Sequence, residues 1–112
     1  MSDEPLGKTS TGLQANVAAL LCYFLGVVTG VVFFVIEKEN KFVRFHALQS
    51  AFTFGGLFVI QLFLPIIPVL GWMLMPLVAL TGVILWILLM IKAYKGEKFK
   101  LPVVGDLAEQ KA

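Results

Sequence analysis

The sequence predicts an all-α integral membrane protein with three transmembrane helices, the N-terminus outside and the C-terminus inside. Three observations predict it. Hydrophobic residues make up 59% of the 112 residues, charged residues only 14%, and the mean hydropathy is +0.91, whereas soluble domains carry about one-quarter charged residues. No charged residue falls between Thr9 and Ile36, and none between Phe45 and Ile91. The charges that remain border these tracts, and a hydrocarbon core about 30 Å thick takes roughly 20 helical residues per crossing. The length allows one domain.

Residues 1–15 are a polar tail rich in small and turn-forming residues, expected to be mobile. The tail lacks the basic start and cleavage site of a secretory signal peptide, since Asp3 and Glu4 come first. A first helix over about 16–36 is then long enough to cross once. Gly26 and Gly30 form a small-xxx-small pair within it, and in lipid, where apolar burial no longer drives association, glycines let backbones approach closely. At 100° per residue Ala19, Tyr23, Gly26 and Gly30 share a face with Asn16 at its outer end, a face for another helix of the chain or of a second copy. Cys22 is a lone thiol with no partner for a disulfide or a metal and reads as a small buried hydrophobe.

The segment Glu37 to Ser50 is the charged island between the tracts. Asn40 is suited to cap a second helix, its side chain accepting from a first-turn amide. That helix covers about 43–64 and stops at Pro65 and Pro68, because proline lacks the amide that continues the ladder and biases its predecessor away from helix. A short uncharged turn follows, and a third helix over about 72–92 tolerates Pro76 in its first turns. Trp72 and Tyr94 stand where aromatic belts meet the two interfaces, and Trp86 lies deeper as a packing residue. Residues 16–100 form the membrane domain and 101–112 a cytoplasmic tail, in which Pro102 and Gly105 bracket a turn. With three crossings, Lys38, Lys41 and Arg44 share a side with Lys92, Lys95, Lys98 and Lys100, opposite Lys8. That side is expected to be cytoplasmic, in a multi-pass protein of the cell membrane.

The second helix carries most of the polar chemistry. His46, Gln49, Ser50, Thr53 and Gln61 fall in one stripe, which should face the bundle interior because unpaired polar groups are expensive in hydrocarbon. Two readings stand: the stripe fastens helices together, or it lines a site or path for a polar solute with His46 as a charge switch. Arg44 points roughly the other way and can snorkel to phosphate. With Lys38, Lys41, Lys92, Lys95, Lys98 and Lys100 it makes a basic collar for anionic lipid headgroups or an acidic partner. No catalytic, cofactor-binding or metal-ligating set is recognisable, and no Asp or Glu lies in the spans. Net charge is only +2 and the basic residues are not interleaved with solvent-facing aromatics, so nucleic acid is a poor candidate partner.

The string Val35 to Ser50, with Arg44-Phe45-His46-Ala47-Leu48-Gln49-Ser50 at its end, together with Lys98 to Asp106, resembles a family of small, uncharacterised prokaryotic integral membrane proteins. That family is grouped distantly with the chloroplast inner-envelope import component Tic-twenty. The resemblance covers about residues 16–108 and implies a helical membrane protein. Its chloroplast relatives have four spans and help proteins cross a membrane. The expected function is a non-catalytic structural or assembly component without cofactor, acting as a homo-oligomer or within a larger complex. The alternative is an oligomeric transport or protein-translocation subunit. A third class, a lipid-modifying enzyme, would place its site at the interface around Arg44 and His46.

Overall fold

A computed structural model describes residues 7–112; of the expected mobile tail, residues 1–6 lie outside the described residues. The described residues form five α-helices and no strand: α1 (Ala15–Phe24), α2 (Val27–Ile36), α3 (Lys41–Phe63), α4 (Leu70–Tyr94) and α5 (Val104–Lys111), with a single 3-10 turn at Leu64–Ile66. Among the described residues, only α3 and α4 are long and apolar enough to cross a membrane.

The first apolar tract does not form the single helix expected over 16–36. It folds at Leu25-Gly26 into two ten-residue arms, each about 15 Å long and so about half the depth of a hydrocarbon core. The arms are antiparallel. The α1 arm runs against the end of α4: Asn16 Nδ2 donates to the Tyr94 carbonyl (3.0 Å), and Trp86 Nε1 donates to the Tyr23 carbonyl (2.6 Å) at the far end of α1. The α2 arm then returns along α3. The Ser50 hydroxyl donates to the Gly26 carbonyl (2.9 Å) at its start, and Arg44 Nη1 donates to the Phe34 carbonyl (3.1 Å) at its end. The start of α1 and the end of α2 therefore meet, and the Ser10 amide donates to Glu37 Oε2 (2.8 Å).

Gly26 permits the fold because its φ of 62° and ψ of −121° lie where only glycine is comfortable. Lipid offers no hydrogen bonds, so the backbone groups that the break frees need protein partners. Thr29 Oγ1 bridges the turn, donating to the Cys22 carbonyl (3.0 Å) and accepting from the Leu25 amide (3.1 Å). Trp86 and Ser50 take the Tyr23 and Gly26 carbonyls. Gly30 brings the arm onto α3: a Cβ there would stand 2.9 Å from the Ala47 carbonyl oxygen and 3.0 Å from the Ala51 amide. The Gly26–Gly30 pair thus packs within the chain, Gly26 against Phe54 and Gly30 against Ala47 and Ala51.

Asn40 caps α3 as its residue type suggests, its Oδ1 accepting from the Val43 amide (3.0 Å). The 3-10 turn holding Pro65 follows Phe63, and Pro68 begins a tighter turn. There Val69 takes φ 66°, the Leu70 amide donates to the Pro68 carbonyl (2.7 Å), and α4 starts. The same device recurs downstream. In Pro102-Val103-Val104-Gly105, Val103 takes φ 67°, the Val104 amide donates to the Pro102 carbonyl (2.7 Å), and α5 follows. The glycine closing each tetrapeptide is sterically required, since a Cβ on Gly71 would overlap the Leu64 carbonyl and one on Gly105 would lie 2.5 Å from Lys100. The C-terminal tail is thus a turn followed by a helix, which packs Ala108 against Phe45 and Leu48 of α3.

Burial is confined to one end of the molecule. In α3 the buried residues run from Val43 to Thr53 and no further; in α4, apart from Gly71 at the turn, they are Leu89 and Ala93. Ala19 and Tyr23 of α1 meet this part of α4, while Ala15, Ala18 and Cys22 join Phe33, Val43 and Ala47.

Candidate functional site

The buried polar residues gather at the charged end, in two clasps. The first is built on α3. His46, Gln49 and Ser50 are fully buried and Thr53 is 7% exposed, because their shared face turns towards the hairpin and the extended segment leaving α4. Tyr23 Oη lies 2.6 Å from His46 Nδ1, and His46 Nε2 lies 3.0 Å from the Glu97 carbonyl oxygen. Gln49 Nε2 donates to Tyr23 Oη (3.0 Å) and to the Phe99 carbonyl (2.9 Å), and Gln49 Oε1 accepts from the Leu101 amide (3.0 Å).

This geometry fixes the protons. A carbonyl only accepts, so Nε2 of His46 carries a hydrogen, and Nδ1 of the neutral ring is left as an acceptor. The Tyr23 hydroxyl then donates to Nδ1 while its oxygen accepts from Gln49, and every donor hydrogen is used once. Edge-on contacts of Tyr23, Phe42 and Phe45 with the imidazole fill the surroundings. Gln49 uses its amide as a second peptide group, paired with both Phe99 and Leu101 of the extended segment. The chemical capacity of this clasp is to hold residues 97–101 against α1 and α3.

Other members of the stripe are placed differently. Ser50 serves the hairpin turn. Thr53 Oγ1 is buried without a partner. Gln61 lies well apart, towards the far end of α3, where its Nε2 donates to the Met75 carbonyl (3.1 Å) and staples α3 to α4.

The second clasp is Glu37, fully buried in the connection between α2 and α3. Its Oε2 accepts from the amides of Ser10 (2.8 Å), Asn40 (3.0 Å) and Glu39 (3.2 Å). Burial alone would push its carboxyl pKa up, but the amides outweigh that and hold it below the usual carboxylate value. Asn40 Nδ2 adds a bond to the Lys8 carbonyl (3.0 Å), fastening the N-terminal segment to the same connection.

The basic collar divides. Arg44, expected to reach a headgroup, is instead turned inward. Its Nη1 donates to the Phe34 carbonyl (3.1 Å) and the Glu37 carbonyl (2.7 Å), Nε donates to the Ala112 carbonyl (3.1 Å), and the guanidinium lies 4.2 Å from the Phe34 ring centre. The reason is the break at Gly26: α2 ends beside Arg44 with unpaired carbonyls, which a guanidinium satisfies. Lys92 pairs with Glu97 (3.2 Å), Lys98 with Glu109 (3.2 Å), and Lys100 with Glu109 (2.6 Å) and Asp106 (3.6 Å). Lys38, Lys41 and Lys95 are exposed.

Sequence reasoning did not single out Tyr23, Thr29, Trp86 or Glu37 for these contacts. Tyr23 had a signal, its place on the same face as Gly26 and Gly30. Glu37 and the turn partners of Thr29 and Trp86 had none, because their roles exist only once the first tract folds back.

Comparison with known proteins places the chain. Residues 8–108 match the MamF/MmsF family, described as the magnetosome magnetite crystal formation protein family. The chain belongs to that family. This member is also 60% identical over 105 residues to the UPF0132 membrane protein MJ1443 of Methanocaldococcus jannaschii, covering 94% of each chain. It is 50% identical over 98 residues to a UPF0132 membrane protein of Archaeoglobus fulgidus, covering 88% of this chain and 95% of the relative. A second Methanocaldococcus jannaschii protein, MJ1527, is 46% identical over 99 residues, which cover 88% of this chain and 71% of that one. No solved structure matches. With relatives named as membrane proteins and two helices long enough to cross, this family member is a membrane protein.

Proposed function

We propose that the chain is a non-catalytic structural component of the cell membrane, crossing the bilayer twice through α3 and α4 and inserting the α1–α2 hairpin to mid-depth from the cytoplasmic side. The observation that carries this reading is the clasp of Tyr23, His46 and Gln49. Its ring nitrogens, hydroxyl and amide are all spent on one another and on the main chain of residues 97–101, an arrangement suited to holding structure. The family description speaks of crystal formation at the magnetosome; what we carry to this chain is a part in organising the membrane.

The half-depth hairpin also changes the expected orientation. The three-crossing arrangement leaves Lys8 opposite the other basic residues. With the hairpin returning to its own side, all nine Lys and Arg residues stand at one end, and a basic excess favours the cytoplasm. Both chain ends then lie inside. The exposed Lys38, Lys41 and Lys95 are the residues for anionic headgroups, and association with further copies or with a larger complex falls to the apolar lipid-facing surface.

Cysteine labelling in a Cys22→Ala background tests the reading. Cysteines introduced at Thr11 and Gln110 should react only from the cytoplasmic side, one at Ile67 only from the opposite side, and one at Leu25 from neither. Labelling of the Thr11 position from outside would restore three crossings and overturn the half-depth hairpin. For the transport or translocation role that the Tic-twenty resemblance raises, the decisive observation would be solute flux into reconstituted vesicles that His46→Ala abolishes. Lipid turnover by purified protein would overturn the non-catalytic part of the proposal.

A further inference from the structure

The two halves of the molecule differ in cross-section. Through the charged half, a plane parallel to the bilayer cuts α1, α2, α3 and α4; beyond Leu25-Gly26 it cuts only α3 and α4. A helix with its side chains is about 10–12 Å across, so one leaflet accommodates on the order of 200 Å² more protein than the other. The burial pattern follows this division, with α3 losing its last buried residue at Thr53.

Beneath the hairpin tip lies an apolar cleft of about 810 Å³ between α3 and α4, lined by Phe24, Leu25, Phe54, Phe58, Val83 and Trp86 among others. No charged side chain lines it, and its walls at Phe58, Val59 and Ala79 run past the hairpin tip towards the far ends of α3 and α4. Acyl chains of the distal leaflet are the occupant its chemistry suits. They are deformable, so filling the cleft leaves the distal half of the protein narrow.

We infer that the protein is a wedge with its wide end in the cytoplasmic leaflet, and that it therefore favours membranes in which that leaflet is the convex one. Area inserted in one leaflet is best accommodated where that leaflet is stretched by curvature. The hairpin supplies the area, the clasps hold it in place, and the lack of a third helix in the distal half keeps the asymmetry. This activity rests on the half-depth hairpin proposed above.

The test uses the full-length protein, labelled at Gln110→Cys, in giant vesicles from which thin tubes are drawn. In vesicles with the charged end outward, the tube-to-flat density ratio should exceed one; with the charged end inward, it should fall below one. Ratios of one in both orientations, as a second copy filling the cleft would produce, overturn the wedge, and so do ratios that shift the same way in both. Side-specific labelling of Thr11→Cys and Gln110→Cys on the same vesicles separates the two ideas. Ends on one side with ratios of one remove only the wedge, whereas ends on opposite sides remove the hairpin on which it rests.

Discussion

Replacing Gln49 with alanine removes three hydrogen bonds at once, to Tyr23 Oη, to the Phe99 carbonyl and from the Leu101 amide. Two of them are the bonds from the Gln49 side chain that fix the segment leaving α4. Each is worth about 1 kcal/mol net, so the segment should lose about 2 kcal/mol of local stability. At about 1.4 kcal/mol per tenfold, that is about 30-fold faster opening-limited exchange. The assay is amide hydrogen exchange in nanodiscs, read at Leu101 and compared with amides of α4 around Leu80 as an internal standard. Leu101 should lose about 30-fold protection while the standard stays within about twofold, because the perturbation is local. Wild-type protection of Leu101 in Gln49→Ala would refute the clasp as the fastening of residues 97–101.

Further expectations concern the hairpin and its connection. Gly30→Leu pushes a side chain into the Ala47 carbonyl and the Ala51 amide; overpacking of this kind costs about 1–3 kcal/mol, and thermal unfolding in detergent should show a lower midpoint, whereas an unchanged midpoint would mean α2 does not lie on α3. Trp86→Phe deletes one donor to the Tyr23 carbonyl at the turn and leaves the Gly26 amide on it (3.1 Å), a loss of about 1 kcal/mol, seen as an earlier chemical-denaturation midpoint with an unchanged slope. Glu37 has a folded pKa below its unfolded one. Its stabilisation is therefore complete above the unfolded value of about 4.3 and is lost as pH falls through the lower folded value. Glu37→Gln should flatten this acid limb of the stability profile, and a limb of unchanged steepness would show that other carboxylates carry it.

How much of this was legible in the sequence differs from element to element. The caps and stops were local: Asn40 needs only the amide of Val43 three residues on, and the prolines at 65 and 68 act on their own backbone. The stripe's inward face was legible too, since His46, Gln49 and Ser50 share a helical face and hydrocarbon penalises unpaired polar groups. Which atoms they would meet was not legible, because their partners at Tyr23 and residues 97–101 are between 23 and 52 residues away along the chain. Arg44 shows the same divide: its charge was visible, but the carbonyls of Phe34 and Glu37 that draw it inward exist as a pair only where α2 ends beside it.

The sequence by itself determined that the chain belongs in a membrane, that it is helical, where the second and third helices lie, and that basic residues collect at their ends. These are properties of composition and short windows, and lipid enforces them through the cost of exposing charge and unpaired backbone. The tertiary structure decided that the first apolar tract turns back at Leu25-Gly26. Hydropathy sums over residues and is blind to direction, so a single crossing and two ten-residue arms joined at Leu25-Gly26 score alike. The choice between them rests on whether Thr29, Ser50 and Trp86 reach the backbone groups that the break exposes, and only the packed fold brings those side chains there.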